Sequence, residues 1–174
     1  MNNNTSMTSP TTSLEIERKY LIKKPSLQQL SAHAELSVSG IIQMYLISKD
    51  GSERRIRARW KGNNISYFLT EKREISAIKR EETEREITFS EYADYHAERD
   101  LALNSIVKQR ICFNHQNQLF EVDIFSFSND LALMEIELSD ENDVVTLPDF
   151  IKVIKEVTDD PHYRNRNLAK TQTL

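Results

Sequence analysis

Cysteine is almost absent from this sequence, and long apolar runs are missing altogether. Cys112 is the single cysteine among 174 residues, so no disulfide can form within the chain and the disulfide-rich class of secreted domains is excluded. No apolar run approaches the ~20 residues that a membrane-spanning helix needs. Residues 1–13 are rich in Asn, Ser and Thr and have no apolar signal core. We therefore expect a disordered tail at 1–13, no membrane association, and a cytoplasmic protein.

Glycine is also scarce. Gly40, Gly51 and Gly62 are isolated from one another, so the chain has no glycine-rich loop that could cradle a phosphate with backbone amides. Any anion would have to be bound by side chains. The net charge of −4 predicts no general attraction to nucleic acid or to an anionic membrane. A phosphate-binding site would therefore have to be a local cluster of Lys and Arg.

What the sequence does contain is charge, at 29% of residues, arranged in alternation with apolar side chains. A strand places residues i and i+2 on the same face, so each alternating segment predicts a strand with one charged face. Acidic pairs and basic pairs occur on different segments. These segments are Glu15–Lys19, Arg55–Arg59, Thr70–Lys72, Glu84–Glu86, Lys108–Arg110, Glu121–Asp123 and Glu135–Glu137.

Strand signals dominate the rest of the chain, which we interpret as one domain over residues 14–174. We predict strands at 14–22, 40–48, 54–60, 65–73, 82–89, 106–113, 119–125 and 131–138, with a hairpin turn at Asp50-Gly51. We predict helices at 27–34, 91–103 and 149–155, and an irregular segment over 158–174.

About eight strands with turn signals between them favour an antiparallel barrel or a sandwich. In a sandwich the charged faces would lie in water. In a barrel they could line the lumen instead, while helices and loops cover the apolar outer face. A barrel of this size can enclose a small ligand. The segregation of acids from bases favours the barrel, because cross-strand ion pairs on a solvated sheet are usually mixed.

The two kinds of charged strand suit one kind of ligand. Paired carboxylates provide the oxygen ligands that Mg²⁺ and Mn²⁺ prefer. Arg and Lys bind phosphate oxygens, and Arg can bind two at once. A lumen lined by both predicts a chain of phosphates bridged to metal.

The segment Glu15-x-Glu17-x-Lys19 resembles the ExExK signature of the triphosphate tunnel metalloenzymes, also called the CYTH superfamily. The other charged segments follow in the order found in that family, and the resemblance covers roughly residues 14–168. Near the end, Glu156-Val157-Thr158 with Tyr163 and Asn165 is similar to the C-terminal signature of small bacterial members. The resemblance implies a mainly β fold, an eight-stranded antiparallel β-barrel tunnel with flanking helices.

The resemblance also implies site residues and a Mg²⁺ or Mn²⁺ cofactor. It leaves Glu84 and Glu86 as either further metal ligands or partners of the bases. Arg55 faces the same way as Arg57, but the resemblance favours Arg54 as the matched residue, so the choice of lumen residue stays open. The implied metal ligands are Glu15, Glu17, Asp123, Glu135 and Glu137. The implied substrate-binding residues are Lys19, Arg57, Arg59, Lys72, Lys108 and Arg110. The implied catalytic residues are Lys19, Glu17 and Lys72.

The function implied is metal-dependent hydrolysis of a triphosphate, and the length and C-terminal signature favour inorganic tripolyphosphate. Thiamine triphosphate and an RNA end remain alternative substrates. A class IV-type adenylyl cyclase, which makes cyclic AMP and pyrophosphate from ATP, is the alternative activity. A binding module for polyphosphate or nucleotides without turnover is a third hypothesis, and the retained acidic pairs argue against it. The expected partner is a triphosphate-containing small molecule. The sequence does not decide between a monomer and a homodimer.

Overall fold

The computed structural model describes residues 11–48, 52–75 and 79–174. The predicted turn at Asp50-Gly51 and residues 1–10 of the predicted tail lie outside the described residues, whereas residues 11–13 belong to the first strand. The strands are β1 (Thr11–Lys23), β2 (Ser37–Tyr45), β3 (Glu53–Lys61), β4 (Asn64–Glu74), β5 (Lys79–Ile87), β6 (Ile106–His115), β7 (Gln118–Phe125), β8 (Leu131–Glu137) and β9 (Val153–Glu156). The helices are α1 (Leu27–Ser31), α2 (Phe89–His96) and α3 (Asn165–Thr171), with a 3-10 turn at Pro161–Tyr163.

The strands form a closed antiparallel barrel. The order is β5-β4-β3-β2-β6-β7-β8-β1, and β5 pairs with β1 to close the ring. The short strand β9 pairs with β1 on the outside of this ring. The predicted eight-stranded barrel is confirmed, although individual strand ends differ from the prediction by a few residues.

Most of the apolar core lies outside the barrel wall. α1 covers one outer face through Leu30, and α2 covers another through Tyr92. α3 instead closes one end of the barrel, where Leu168 and Ala169 are buried. They pack against side chains that share the inward face of their strands with the charged residues. These inward apolar residues are Leu21, Tyr45, Ile106, Phe125 and Leu133.

The predicted helix at 149–155 is wrong. Residues 153–156 form β9, because β1 offers them free backbone groups beyond its pairing with β5 and two β-branched residues, Val153 and Ile154, suit a strand. The predicted irregular end, 158–174, is also wrong, since it contains the 3-10 turn and α3. α3 forms because the barrel end provides apolar surface for Leu168 and Ala169.

The other two predicted helices are shorter than expected. In α2 the N-cap is Thr88, whose side chain accepts from the Glu91 backbone while Glu91 accepts from the Thr88 backbone. α2 ends at His96 because the following segment bonds to the end of β2, where Asp100 N–H donates to the Tyr45 carbonyl. In α1 the N-cap is Ser26, whose side chain accepts from Gln29 N–H at 3.1 Å, and the helix ends at Ser31.

Candidate active site

The barrel encloses a charged cavity of about 610 Å³. The inward faces of the strands supply its wall, as the two-residue period predicts. One end is closed by the apolar layer under α3. Among the residues expected from the sequence, those in the wall are Glu15, Glu17, Lys19, Arg57, Arg59, Lys72, Lys108, Arg110, Glu135 and Glu137.

Asp123, expected as a metal ligand, does not line the cavity. Its carboxylate is fully buried and accepts hydrogen bonds from Arg110 Nε and Nη2, both at 2.7 Å, and from Lys108 Nζ. Burial opposes ionisation of Asp123, but Arg110 and Lys108 outweigh it and lower the pKa. Both carboxylate oxygens are therefore engaged by the cations that Asp123 orients.

The acidic part of the wall is built from directly opposed carboxylates. Glu17 pairs with Glu137 across β1 and β8, and Glu121 pairs with Glu135 across β7 and β8. Like charges directly opposite each other on neighbouring strands destabilise a sheet unless a cationic group lies beside them. Glu135 has such partners in Lys19 at 2.9 Å and Arg110 at 3.0 Å.

Because of these partners, the pKa values of Glu135 and Glu137 shift in opposite directions. Burial opposes the ionisation of Glu135, but Lys19 and Arg110 outweigh it and hold its pKa well below the usual value. Burial raises the pKa of Glu137, and the carboxylates of Glu121 and Glu15 raise it further. Negative charge around Glu137 therefore exceeds what the neighbouring bases offset.

This excess fits a divalent cation. The available donors are carboxylate oxygens, which are the ligands of Mg²⁺ and Mn²⁺. In the described part of the chain no three carboxylate, imidazole or thiol groups stand together as a ready metal site. Some of the carboxylates contact bases instead, with Glu15 accepting from Lys72 Nζ at 2.8 Å and Glu17 lying 3.5 Å from Lys19 Nζ. A metal would replace such contacts and relieve the electrostatic repulsion between the Glu17 and Glu137 carboxylates.

The basic part of the wall comes mainly from β3 and β6. Burial lowers the pKa of Arg57, and the neighbouring Arg55 lowers it further. Burial lowers the pKa of Lys108 to about 8, although Asp123 opposes this. Cations that are buried and close together are stabilised by an anion among them. This side of the cavity is therefore suited to phosphate.

The choice between Arg54 and Arg55 is decided by the strand alternation. Arg55 lines the cavity and is 7% exposed. Arg54, which the family pattern favoured, faces outward, where it donates to Glu71 at 3.1 Å and Glu98 at 3.2 Å and lies over the Tyr95 ring. The sequence left this choice open, and the structure places Arg55, rather than Arg54, on the face shared with Arg57 and Arg59.

Glu84 and Glu86 differ in position. Glu84 Oε2 accepts from Arg57 and from Thr70 Oγ1 at 2.8 Å, and it lies in the cavity wall. Although burial opposes it, Arg57 lowers the pKa of Glu84. Its contacts are those of a partner that orients a base. Glu86 lies in an adjoining recess beside Phe68 rather than in the main cavity.

The structure adds wall residues that sequence reasoning missed. Gln43 is fully buried; its Nε2 donates to the Tyr45 hydroxyl at 2.7 Å, and its Oε1 has no hydrogen-bond partner in the described part of the chain. Its alternation with Ile41 and Tyr45 on β2 was the available signal. Other wall residues that the sequence did not assign to the site include Glu82, Glu121, Arg164, Asn165, Arg166 and Asn167. The last four stand at the start of α3, in the segment expected to be irregular.

Comparison with known proteins bears directly on this site. The chain is 36% identical to the inorganic triphosphatase of Acetivibrio thermocellus over 162 residues, which is 90% of this chain and 93% of that protein. The chain belongs to the CYTH superfamily of triphosphate tunnel metalloenzymes. No protein-family model matches the sequence.

Solved structures place this CYTH chain among similar folds. The inorganic triphosphatase NE1496 is 29% identical with a TM-score of 0.57, and the match covers 90% of this chain and 97% of that one. PH1819 from Pyrococcus horikoshii is 19% identical with a TM-score of 0.56, covering 74% and 80%. The second likeness concerns the fold alone. None of the described helices of this CYTH protein is long and apolar enough to cross a membrane.

Proposed function

We propose that this protein hydrolyses inorganic tripolyphosphate in the barrel cavity, with Mg²⁺ or Mn²⁺ as cofactor. The observation that carries the proposal is the union of opposed carboxylates and clustered buried bases in one cavity closed at one end. The triphosphatase names of the relatives at 36% and 29% identity support it. In the reaction, a water oxygen loses a proton to solvent and bonds to the terminal phosphorus, the bond from that phosphorus to the bridging oxygen breaks, and diphosphate leaves.

The carboxylate side would hold the metal. Glu15, Glu17, Glu135 and Glu137 line the cavity and are the proposed ligands. When bound, a divalent metal offsets phosphate charge and lowers the pKa of a bound water. We assign Asp123 to orienting Lys108 and Arg110 rather than to binding metal, because both of its oxygens already accept their hydrogen bonds.

The basic side would hold the triphosphate in line for attack. Arg55, Arg57 and Arg59 follow one another along β3, so they can contact successive phosphates. Lys108 and Arg110 face the cavity from β6. Lys19 and Lys72, which pair with carboxylates in the structure, can turn to the terminal phosphoryl oxygens and neutralise their charge as the bond breaks.

Phosphate release from a panel of substrates tests the proposal. Inorganic triphosphate, ATP and thiamine triphosphate are each supplied with Mg²⁺, Mn²⁺ or EDTA, and cyclic AMP and pyrophosphate are followed in the ATP sample. We expect orthophosphate from inorganic triphosphate with metal and none with EDTA. Cyclic AMP with pyrophosphate would instead identify a cyclase. Tight binding of triphosphate without turnover would identify a binding module.

A further inference from the structure

The backbone at Lys19 is held in an unusual way. β5 pairs with β1 only as far as Ile16, and β9 begins to pair with β1 at Tyr20. Between these points the Lys19 carbonyl accepts from Val157 N–H at 2.8 Å, and Lys19 N–H donates to Thr158 Oγ1 at 3.0 Å. On this side, the peptide groups of Lys19 are therefore bonded by the C-terminal segment rather than by a barrel strand.

The Thr158 hydroxyl is itself fixed by its neighbours. It donates to Glu156 Oε1 at 2.8 Å. The Glu156 carboxylate accepts from Arg18 Nε at 2.8 Å and from Arg18 Nη2 at 2.6 Å. Because Arg18 and Lys19 are adjacent on β1, these hydrogen bonds form a closed network, from Arg18 through Glu156 and Thr158 back to Lys19, on the outside of the barrel.

On the inside of the barrel the Lys19 side chain reaches into the active site. Lys19 is 5% exposed, and its Nζ lies 2.9 Å from Glu135 and 3.5 Å from Glu17. A shift of about 1 Å in a positioning contact can cost a hundredfold in rate. The position of this ammonium group depends on where the β1 backbone lies.

We propose that Thr158 is a positioning residue for Lys19, holding the β1 backbone so that the lysine ammonium reaches the triphosphate. The inference rests on the proposed function, in which Lys19 binds substrate. It also gives a physical role to the Glu156-Val157-Thr158 signature, none of whose side chains lines the cavity. Glu156 and Arg18 orient the threonine hydroxyl, and the Val157 backbone N–H donates to the carbonyl of the same residue, Lys19.

Threonine variants of matched shape test the proposal. Thr158→Val keeps the side-chain volume but removes the hydroxyl, and Thr158→Ser restores it. Thr12→Val is the control. Thr12 lies on β1, the strand that carries Lys19, and its hydroxyl bonds Thr83 at 3.0 Å on the exposed outer surface. On inorganic triphosphate we expect kcat to fall about tenfold in Thr158→Val, with KM within about threefold. Thr158→Ser and Thr12→Val keep the wild-type kcat.

Two further readouts separate positioning from general stability. Amide hydrogen exchange at Lys19 should become faster in Thr158→Val and stay unchanged in Thr12→Val. In a double-mutant cycle, Thr158→Val should lower kcat less when Lys19 is already Ala, because the lysine it positions is gone. A Thr158→Val protein with wild-type kcat, or full additivity with Lys19→Ala, would overturn the proposal.

The exchange measurement also distinguishes this proposal from the proposed function. If the wild type hydrolyses no triphosphate, faster exchange at Lys19 in Thr158→Val still supports positioning, and unchanged exchange refutes it. If Thr158→Val does not fold by circular dichroism, Glu156→Gln replaces it, since that change removes the charge that orients the hydroxyl and predicts the same loss.

Discussion

Arg54 and Arg55 are neighbours in sequence but lie on opposite faces of β3. Arg55 faces the cavity, and Arg54 packs outside against Tyr95 and two glutamates. We expect Arg55→Ala to lower kcat/KM for triphosphate by about a hundredfold, as loss of a preorganised charge partner does. Arg54→Ala should leave kcat/KM within about twofold and cost about 1 kcal/mol or less of unfolding free energy, since its partners are exposed.

Steady-state kinetics and urea unfolding of Arg55→Ala and Arg54→Ala test this prediction. Equal loss of activity in the two, with equal stability, would contradict the assignment of faces. The pair also isolates what strand alternation contributes, because the substitutions remove the same chemical group from adjacent positions.

Glu137 provides a second prediction for a single residue. Its charge stands opposite Glu17, and other carboxylates surround it. With EDTA present, we expect Glu137→Gln to melt at a higher temperature than the wild type because it removes this repulsion. With Mg²⁺ the same variant should lose about a hundredfold in hydrolysis, because a proposed metal ligand is gone.

Differential scanning calorimetry with and without Mg²⁺ measures the first effect, and phosphate release the second. Glu35→Gln is the control, since it removes an equal charge from an exposed position outside the barrel wall. A lower melting temperature for Glu137→Gln in EDTA would show that the carboxylate is stabilised in the metal-free protein, against the expectation.

At the scale of elements, the cap of α2 couples stability to pH. The Thr88 backbone N–H and Arg85 lower the pKa of Glu91. When folding lowers the pKa of a carboxyl group, the ionised group stabilises the protein at pH values above its pKa in the unfolded state, about 4.3. This contribution is lost as the pH falls through the pKa of the folded state. We expect Glu91→Gln to be less stable than wild type at pH 7 and the difference to vanish as the pH falls well below about 4.

Urea unfolding of wild type and Glu91→Gln at neutral and acidic pH measures this difference. The same destabilisation at both ends of the range would mean that the amide is a poorer cap by geometry and that the charge contributes nothing. Because α2 covers the outer wall of β3 and β4, the measurement also reports on how firmly that side of the barrel is held.

At the scale of the whole molecule, the barrel carries a charged interior that a ligand should stabilise. A ligand that binds only the folded state at a hundred times its Kd adds about 2.7 kcal/mol. We therefore expect a non-hydrolysable imido analogue of tripolyphosphate with Mn²⁺ to raise the melting temperature markedly. EDTA should remove most of the increase, and Arg55→Ala should show less of it. An increase that EDTA leaves intact would argue against a metal-bridged phosphate chain.

The alternation of charged and apolar residues determined much of this protein. It predicted the strands, their charged faces and the cavity residues on β1, β3, β4, β6 and β8, because the two-residue period is a local property of an extended chain. The order of the motifs led to the family and its barrel. Scarcity of glycine directed attention to side chains, rather than backbone amides, as the groups available to an anion.

Only the tertiary structure decided which groups meet. Asp123 shares the alternation of its neighbours, yet Lys108 and Arg110 engage its carboxylate and it does not line the cavity. Gln43 and the start of α3 enter the wall through strand register and barrel closure, which join residues distant in sequence. The segment after residue 148 was misassigned because free backbone groups of β1 and the open barrel end, rather than local propensity, select β9 and α3.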